Sequence, residues 1–240
     1  MIVLGIGVGS LSGFFGIGGG TILVPVLLLM GYDIKTAVGI SVVQMVFSSV
    51  YGSFLNLKKG SLEYDTVLSI GIGGFAGALL SGFVVSTVSA ELLEYTFLVF
   101  VMIAIGRMAY KPAQYKQSRK VHPFVLFVIG SVLGVFAISI GVGGSILLVP
   151  ILVGFLHFEL KKAISAGLFF VVFSSVSGLI SLSVVGGIQY FDGLVIGAAS
   201  LVGVYAGIHL SHLSSTKLQK RLLLGFYLLV LSYLLIRTFS

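Results

Sequence analysis

The residues in this sequence best suited to chemistry are glycines. Gly16-Ile17-Gly18-Gly19-Gly20-Thr21-Ile22-Leu23-Val24-Pro25 recurs 125 residues later as Gly141-Val142-Gly143-Gly144-Ser145-Ile146-Leu147-Leu148-Val149-Pro150. Glycine adopts backbone angles closed to other residues, and successive exposed N–H groups in such a turn form a concave nest for an anion. A helix restarting near Thr21 or Ser145 adds the positive end of its dipole and its free N–H groups. Pro25 and Pro150 then fall early in these helices, where a missing donor costs little if the helix starts a residue or two further on. Gly16, Gly18, Gly19, Gly20 and Thr21, with Gly141, Gly143, Gly144 and Ser145, are therefore the expected substrate-binding residues. The competing explanation is that glycines let helices pack closely. Two copies at matching places, each interrupting a long apolar run, favour a functional break.

Few side chains could join them. Hydroxyls near these positions are Thr21, Ser145, Ser41 and the pairs Ser48-Ser49 and Ser174-Ser175. Ser48 and Ser174 are candidates for the site, although each precedes a glycine by four, the spacing of small-residue helix contacts. Gln44 lies near the middle of an apolar run where the second half has Phe170. Its amide needs a partner, either a neighbouring helix or the substrate. Asp33 and Glu159 read as helix caps beside Lys35 and Lys161, and His209 and His212 as interfacial residues. No Asp, Glu, Lys or Arg falls deep inside an apolar run, which argues against a carboxylate proton relay or a hard-ligand metal site. Paired carboxylates, a Ser–Lys dyad and a His cluster are equally missing from the runs, so an intramembrane enzyme has poor support. No metal and no cofactor is expected.

These residues must be positioned by membrane helices. Of 240 residues 58% are hydrophobic and only 9% charged, against about 25% charged in soluble domains. Apolar segments run over 2–30, 34–57, 64–88, 91–109, 122–156, 162–185, 191–213 and 217–239. A straight span needs about 20 residues, so the chain reads as an all-α, polytopic membrane protein. The net charge of +7 comes from residues in the breaks between segments, as cytoplasmic loops require, so no nucleic-acid partner is expected. Cysteine is absent, which excludes a disulfide framework and a thiolate metal site. Met1 leads into an apolar run without a basic region, so a removable signal peptide is not expected.

The chain is internally duplicated. Residues 33–53 align without gaps on 159–179, and eight of the 21 positions are identical, including Lys35/Lys161, Ser48/Ser174, Ser49/Ser175 and Gly52/Gly178. The expected organisation is repeat 1 over 1–110, a basic cytoplasmic linker over 111–121 and repeat 2 over 122–240. If every segment crosses once, the basic residues divide eight against six between the two sides. If 2–30 and 122–156 are instead re-entrant or broken helical hairpins, one side holds Lys58, Lys59, Arg107, Lys111, Lys116, Arg119, Lys120, Lys161, Lys162, Lys217, Lys220 and Arg221. Only Lys35 and Arg237 then lie opposite, twelve against two. That asymmetry is the one cytoplasmic and external faces show. Each repeat then has a hairpin plus three transmembrane helices, the two repeats are inverted, and both termini are extracytoplasmic.

The motif G-x-G-G-G/S-x-x-x-V-P, repeated in the second half and followed by A-x(10)-S-S-x-x-G (Ala37 to Gly52, Ala163 to Gly178), resembles the TauE/SafE sulfite exporter family. The resemblance covers nearly the whole chain. It implies export of small sulfur-containing anions, sulfite or organosulfonates, across the cytoplasmic (inner) membrane. The reading that joins residues and resemblance is a secondary exporter whose anion sits between the two breaks. The alternative is a passive anion channel with the same breaks as its filter. The expected partners are a small anionic substrate and the lipid bilayer; oligomeric state stays open.

Overall fold

The computed structural model describes residues 1–60, 64–89, 121–185 and 188–239, together with Leu92, Tyr95, Leu98, Val99, Met102, Ile105 and Gly106. The linker expected over 111–121 falls, except for Val121, outside the described residues, as do Arg107 and most of segment 91–109. The elements are α1 (Ile2–Phe15), α2 (Gly20–Leu29), α3 (Ile34–Lys58), α4 (Tyr64–Leu79), α5 (Ser81–Thr87), α6 (Pro123–Ser139), α7 (Ser145–Gly154), α8 (Leu160–Val185), α9 (Tyr190–Leu213) and α10 (Thr216–Phe239). No strand occurs among the described residues. Three described helices, Lys35–Lys58, Leu160–Val184 and Tyr190–Leu213, are long and apolar enough to cross a membrane.

Each expected hairpin is two short helices separated by the glycine stretch. Pro25 and Pro150 lie inside α2 and α7, not at their first turns. The helices start at Gly20 and Ser145 because glycines supply the positive-φ entry immediately before them, so the prolines become interior residues. A proline there frees the carbonyl four residues earlier. For Pro150 that carbonyl belongs to Ile146, and the Tyr227 hydroxyl of α10 donates to it.

Segment 64–88 is also divided, at Leu80, into α4 and α5. The Ser181 hydroxyl of α8 donates to the Leu79 carbonyl (3.0 Å) and accepts from the Gly82 N–H (3.0 Å). A side chain inserted in the helix ladder in this way is a recognised cause of a kink.

Small residues weld the longer helices together. Along α1, a Cβ on Gly5, Gly9 or Gly13 would lie 2.6, 2.2 and 2.6 Å from the carbonyls of Ile196, Ser200 and Val204 on α9. Gly203 and Gly207 of α9 face Ile6 and Ser10 in return. The same reciprocal pattern joins α4 and α6: Gly130 and Gly134 meet Ile70 and Gly74, while Gly73 and Gly77 meet Phe127 and Ser131. Close backbone approach of this kind holds helices together where lipid removes the hydrophobic drive between them. The first helix of each half therefore packs on a helix of the other half, and the equivalences at offset 125 or 126 reproduce the contacts.

These contacts also give helix senses. Residue pairs 43/193 and 47/197 rise together, so α3 runs parallel to α9; pairs 71/173, 75/177 and 79/181 make α4 parallel to α8. At one end of the bundle Tyr32 bonds Asp192 (2.9 Å), Ser183 bonds Tyr190 (2.9 Å) and Gly5 abuts Ile196. At the other end His212 meets Asn56 (3.4 Å), the Lys161 ammonium donates to the His212 carbonyl (3.1 Å), and Gln219 bonds Ser211. Both ends of the α1–α2 hairpin thus lie where α9 begins. Lys58, Lys59, Lys161, Lys162, Lys217, Lys220 and Arg221 flank the end marked by His212, while Lys35 lies at the end marked by Asp192. There Asp33 caps α3, accepting from the N–H groups of Lys35 (3.0 Å) and Thr36 (3.1 Å).

Candidate functional site

The two glycine stretches meet in the middle of the bundle, where α3 and α8 cross. A Cβ on Gly20 would stand 2.2 Å from the Gly141 carbonyl, and one on Gly167 would stand 2.8 Å from the Gly16 carbonyl and 3.1 Å from the Ser145 Cβ. Residues 15–21 and 141–150 are all buried. Every charged residue is missing from the buried set among the described residues, so the only electrostatics here are those of dipoles.

Local backbone geometry sets those dipoles. Gly16, Gly18 and Gly19 have φ of 71°, 74° and 79°; Gly141, Gly143 and Gly144 have 76°, 77° and 73°. Side-chain-bearing L-residues avoid this region, and the first N–H groups of the helix that follows have no intrahelical partner. Gly16 and Gly141 have a different task from the rest: their N–H groups bond Ser12 (2.8 Å) and Ile138 (2.9 Å) and end α1 and α6. The N–H groups of Gly18, Gly19, Gly20, Gly143, Gly144 and Ser145 meet no acceptor among the described residues. They are the free donors at the positive ends of α2 and α7.

The break carbonyls, by contrast, are held. The Ser48 hydroxyl lies 3.5 Å from the Gly18 carbonyl and 3.3 Å from that of Met45; Ser174 lies 3.5 Å from the Gly143 carbonyl and 3.2 Å from that of Phe170. A serine has one proton, and in both halves it is directed at a carbonyl. Ser48 and Ser174 thus lie against the break carbonyls, with the nearer acceptor on their own helices. At the second break Ser41 donates to the Gly141 carbonyl (3.0 Å).

The halves exchange residues at two places. Ser41 and Gly20 in the first half correspond to Gly167 and Ser145 in the second, so the hydroxyl moves from the long helix to the break. Room is conserved by the exchange: Gly20 would collide with the Ser41 Oγ at 2.7 Å, whereas Ser145 faces a glycine. The second exchange is Gln44 for Phe170. A Cβ on Gly19 would touch the Gln44 Oε1 at 2.5 Å and Nε2 at 2.9 Å; one on Gly144 would touch the Phe170 ring at 2.6 Å.

Gln44 is fully buried, and both its amide atoms lack a partner, as do the hydroxyls of Thr21 and Ser145. Each such group left unpaired costs about 1–3 kcal/mol, a cost a bound ligand offering the missing bonds would remove. Between the two breaks stand Met45 and Val171, both fully buried. The Met45 sulfur would lie 2.6 Å from a Cβ on Gly143, and Val171 would lie 2.9 Å from one on Gly18. Spacing alone identified the glycines. The intervening pair is invisible to it, because apolar residues in an apolar helix carry no signal.

The family described as Sulfite exporter TauE/SafE matches residues 1–234. Among characterised sequences, a probable membrane transporter protein of Methanocaldococcus jannaschii is 28% identical over 192 residues, 75% of this chain and 70% of its own. Two from Bacillus subtilis, the probable membrane transporter proteins YunE and YdhB, are 23% and 26% identical. The YunE match covers 90% of this chain and 89% of the relative; the YdhB match covers 85% and 86%. No solved structure matches. The chain belongs to the TauE/SafE family and is a membrane protein of transporter type.

Proposed function

We propose that this TauE/SafE chain is a secondary exporter of a small anion, sulfite or an organosulfonate, bound at the glycine-rich breaks. The observation that carries the reading is the set of unpaired backbone donors. Six buried N–H groups, on Gly18, Gly19, Gly20, Gly143, Gly144 and Ser145, have no acceptor among the described residues, and no buried cation accompanies them. Helix N-termini bind anions through such groups. Without a formal countercharge, binding is weak enough for release, as a carrier needs.

Two inverted repeats, 1–110 and 122–240, would supply alternating access by rocking one against the other. In support, α3 runs parallel to α9 and α4 parallel to α8, each pair being drawn from different halves. The hairpins α1–α2 and α6–α7 would be re-entrant from opposite faces. The lysine-rich end would face the cytoplasm, with the ends of the chain on the other side of the cytoplasmic membrane. Complete burial of both breaks favours a carrier with an occluded site over an open channel.

Counterflow in proteoliposomes tests the reading. Preloaded sulfite should accelerate uptake of labelled sulfite, with saturation. Flux that neither saturates nor responds to counter-substrate would leave the channel. Orientation is tested on the cysteine-free chain: a membrane-impermeant maleimide applied to intact cells should label Lys35→Cys and spare Lys217→Cys. The reverse pattern would invert the topology.

A further inference from the structure

We infer that the anion is held by the first break alone, with the Gln44 amide as its side-chain donor, and that the second break is a dry counterpart sealed by Phe170. The inference rests on the anion-transport reading above and changes its stoichiometry and its residues.

Three observations converge on it. The first concerns the space between the breaks. Met45 and Val171 occupy it, with Val171 against both Gly18 and Gly143. An anion bridging the two nests would have to displace both buried side chains, so each break must bind independently or not at all.

The second concerns what each nest faces. At the first break, Gln44 is 0% exposed, lies against Gly19, and has neither amide atom bonded. Its Oε1 and Nε2 lie 2.5 and 2.9 Å from a Cβ on Gly19, and the Nε2 has two hydrogens to donate beside the free N–H groups of Gly18, Gly19 and Gly20. The unpaired Thr21 hydroxyl stands one residue further on. At the second break the same place holds the Phe170 ring, which also fills the notch left by Gly74, 2.4 Å from a Cβ there. A phenyl ring supplies no hydrogen-bond donor.

The third is how the second nest is supported. Tyr227 donates to the Ile146 carbonyl freed by Pro150, and Ser41 donates to the Gly141 carbonyl. The corresponding carbonyls of the first break, those of Thr21 and Gly16, receive no side-chain donor among the described residues. Two carbonyls of the second break thus have side-chain donors that their first-break counterparts lack; both breaks keep free N–H groups, and only the first has an unbonded amide beside them. An oxyanion only accepts, so it goes where unmet donors are most numerous, and the Gln44 amide adds two hydrogens to those of the first break. The matching ligand is a single compact oxyanion.

Purified protein is titrated with labelled sulfite, and separately with sulfoacetate, by equilibrium dialysis, with melting of the ligand-free protein as the folding control. One anion per chain is expected. Gln44→Leu should weaken binding about tenfold or more, as loss of a hydrogen bond to a charged group does. Phe170→Leu should bind within about twofold of the parent, the scale of an indirect change. Two anions per chain, undiminished binding in Gln44→Leu, or equal weakening in Phe170→Leu would each overturn the inference and leave the transport reading standing. A parent protein that binds neither anion would overturn both.

Discussion

The two glycine breaks share a backbone and differ in what surrounds it. Each has three positive-φ glycines, a serine on the facing long helix lying against a break carbonyl, and a ten-residue helix leading away. Around the first stand Gln44 and Thr21, buried and unbonded; around the second stand the unbonded Ser145 hydroxyl, Phe170 filling space and the Tyr227 hydroxyl closing a backbone bond. The two halves thus match in backbone at the breaks and differ in the side chains around them.

The largest expected effects break the backbone half of that comparison. Gly19→Leu places a side chain in a left-handed position and into Gln44, so binding of sulfite should fall by about a hundredfold or more, the scale of two lost charge-assisted bonds. Gly144→Leu strains the second break equally, but under a one-sided site it should stop counterflow while leaving equilibrium binding measurable. Loss of binding in both variants would restore a symmetric site.

Next comes the bond unique to the second break. Tyr227→Phe leaves the Ile146 carbonyl buried without its donor, a loss of about 1–3 kcal/mol. A lower thermal midpoint with unaltered sulfite affinity is the expected result, and an affinity change would draw the second break back into the site.

The kink between α4 and α5 sharpens the comparison further. Ser181→Ala removes both bonds at the Leu79–Gly82 junction and should cost about 1–2 kcal/mol in melting experiments, with less than a twofold effect on affinity because neither bond involves a residue of the breaks.

The smallest effect is at Asp33. Its carboxyl is held below the usual range by bonds from the Thr36 side chain and from the N–H groups of Thr36 and Lys35. A lowered folded-state value means that the contribution is present at neutral pH. It is lost as pH falls through the ordinary carboxylate range towards the lowered one. Asp33→Asn should flatten that acid limb of the stability profile, with a slightly lower thermal midpoint at neutral pH and little change at acid pH.

Much of this was legible in the chain itself. Overlong apolar runs containing Gly18-Gly19-Gly20 and Gly143-Gly144-Ser145 located both hairpins, because a helix of 29 or more residues exceeds a membrane's thickness. The lysines separated the two ends of the bundle, since charge follows loops. The proline positions were misread: the helices begin at Gly20 and Ser145, and Pro25 and Pro150 sit inside them. For Pro150 the freed carbonyl has a partner that spacing does not reveal, because Tyr227 is 81 residues away from Ile146. The Gln44/Phe170 difference was visible as a mismatch between halves. Its meaning was not, because which residue faces Gly19 depends on the rotation of α3, and uniformly apolar helices give no face to read.

The glycine seams between α1 and α9 carry a consequence for how the molecule is made. Gly5, Gly9 and Gly13 meet residues 191 positions later, so the first helix leaves the ribosome long before its partner exists. At about 5–20 residues per second, it must wait on the order of ten seconds or more with a notched, unpaired flank in the lipid. Assembly of the bundle is therefore a closing event, completed when α9 inserts. A chain truncated before Tyr190 should remain bound to insertion factors or quality-control proteases.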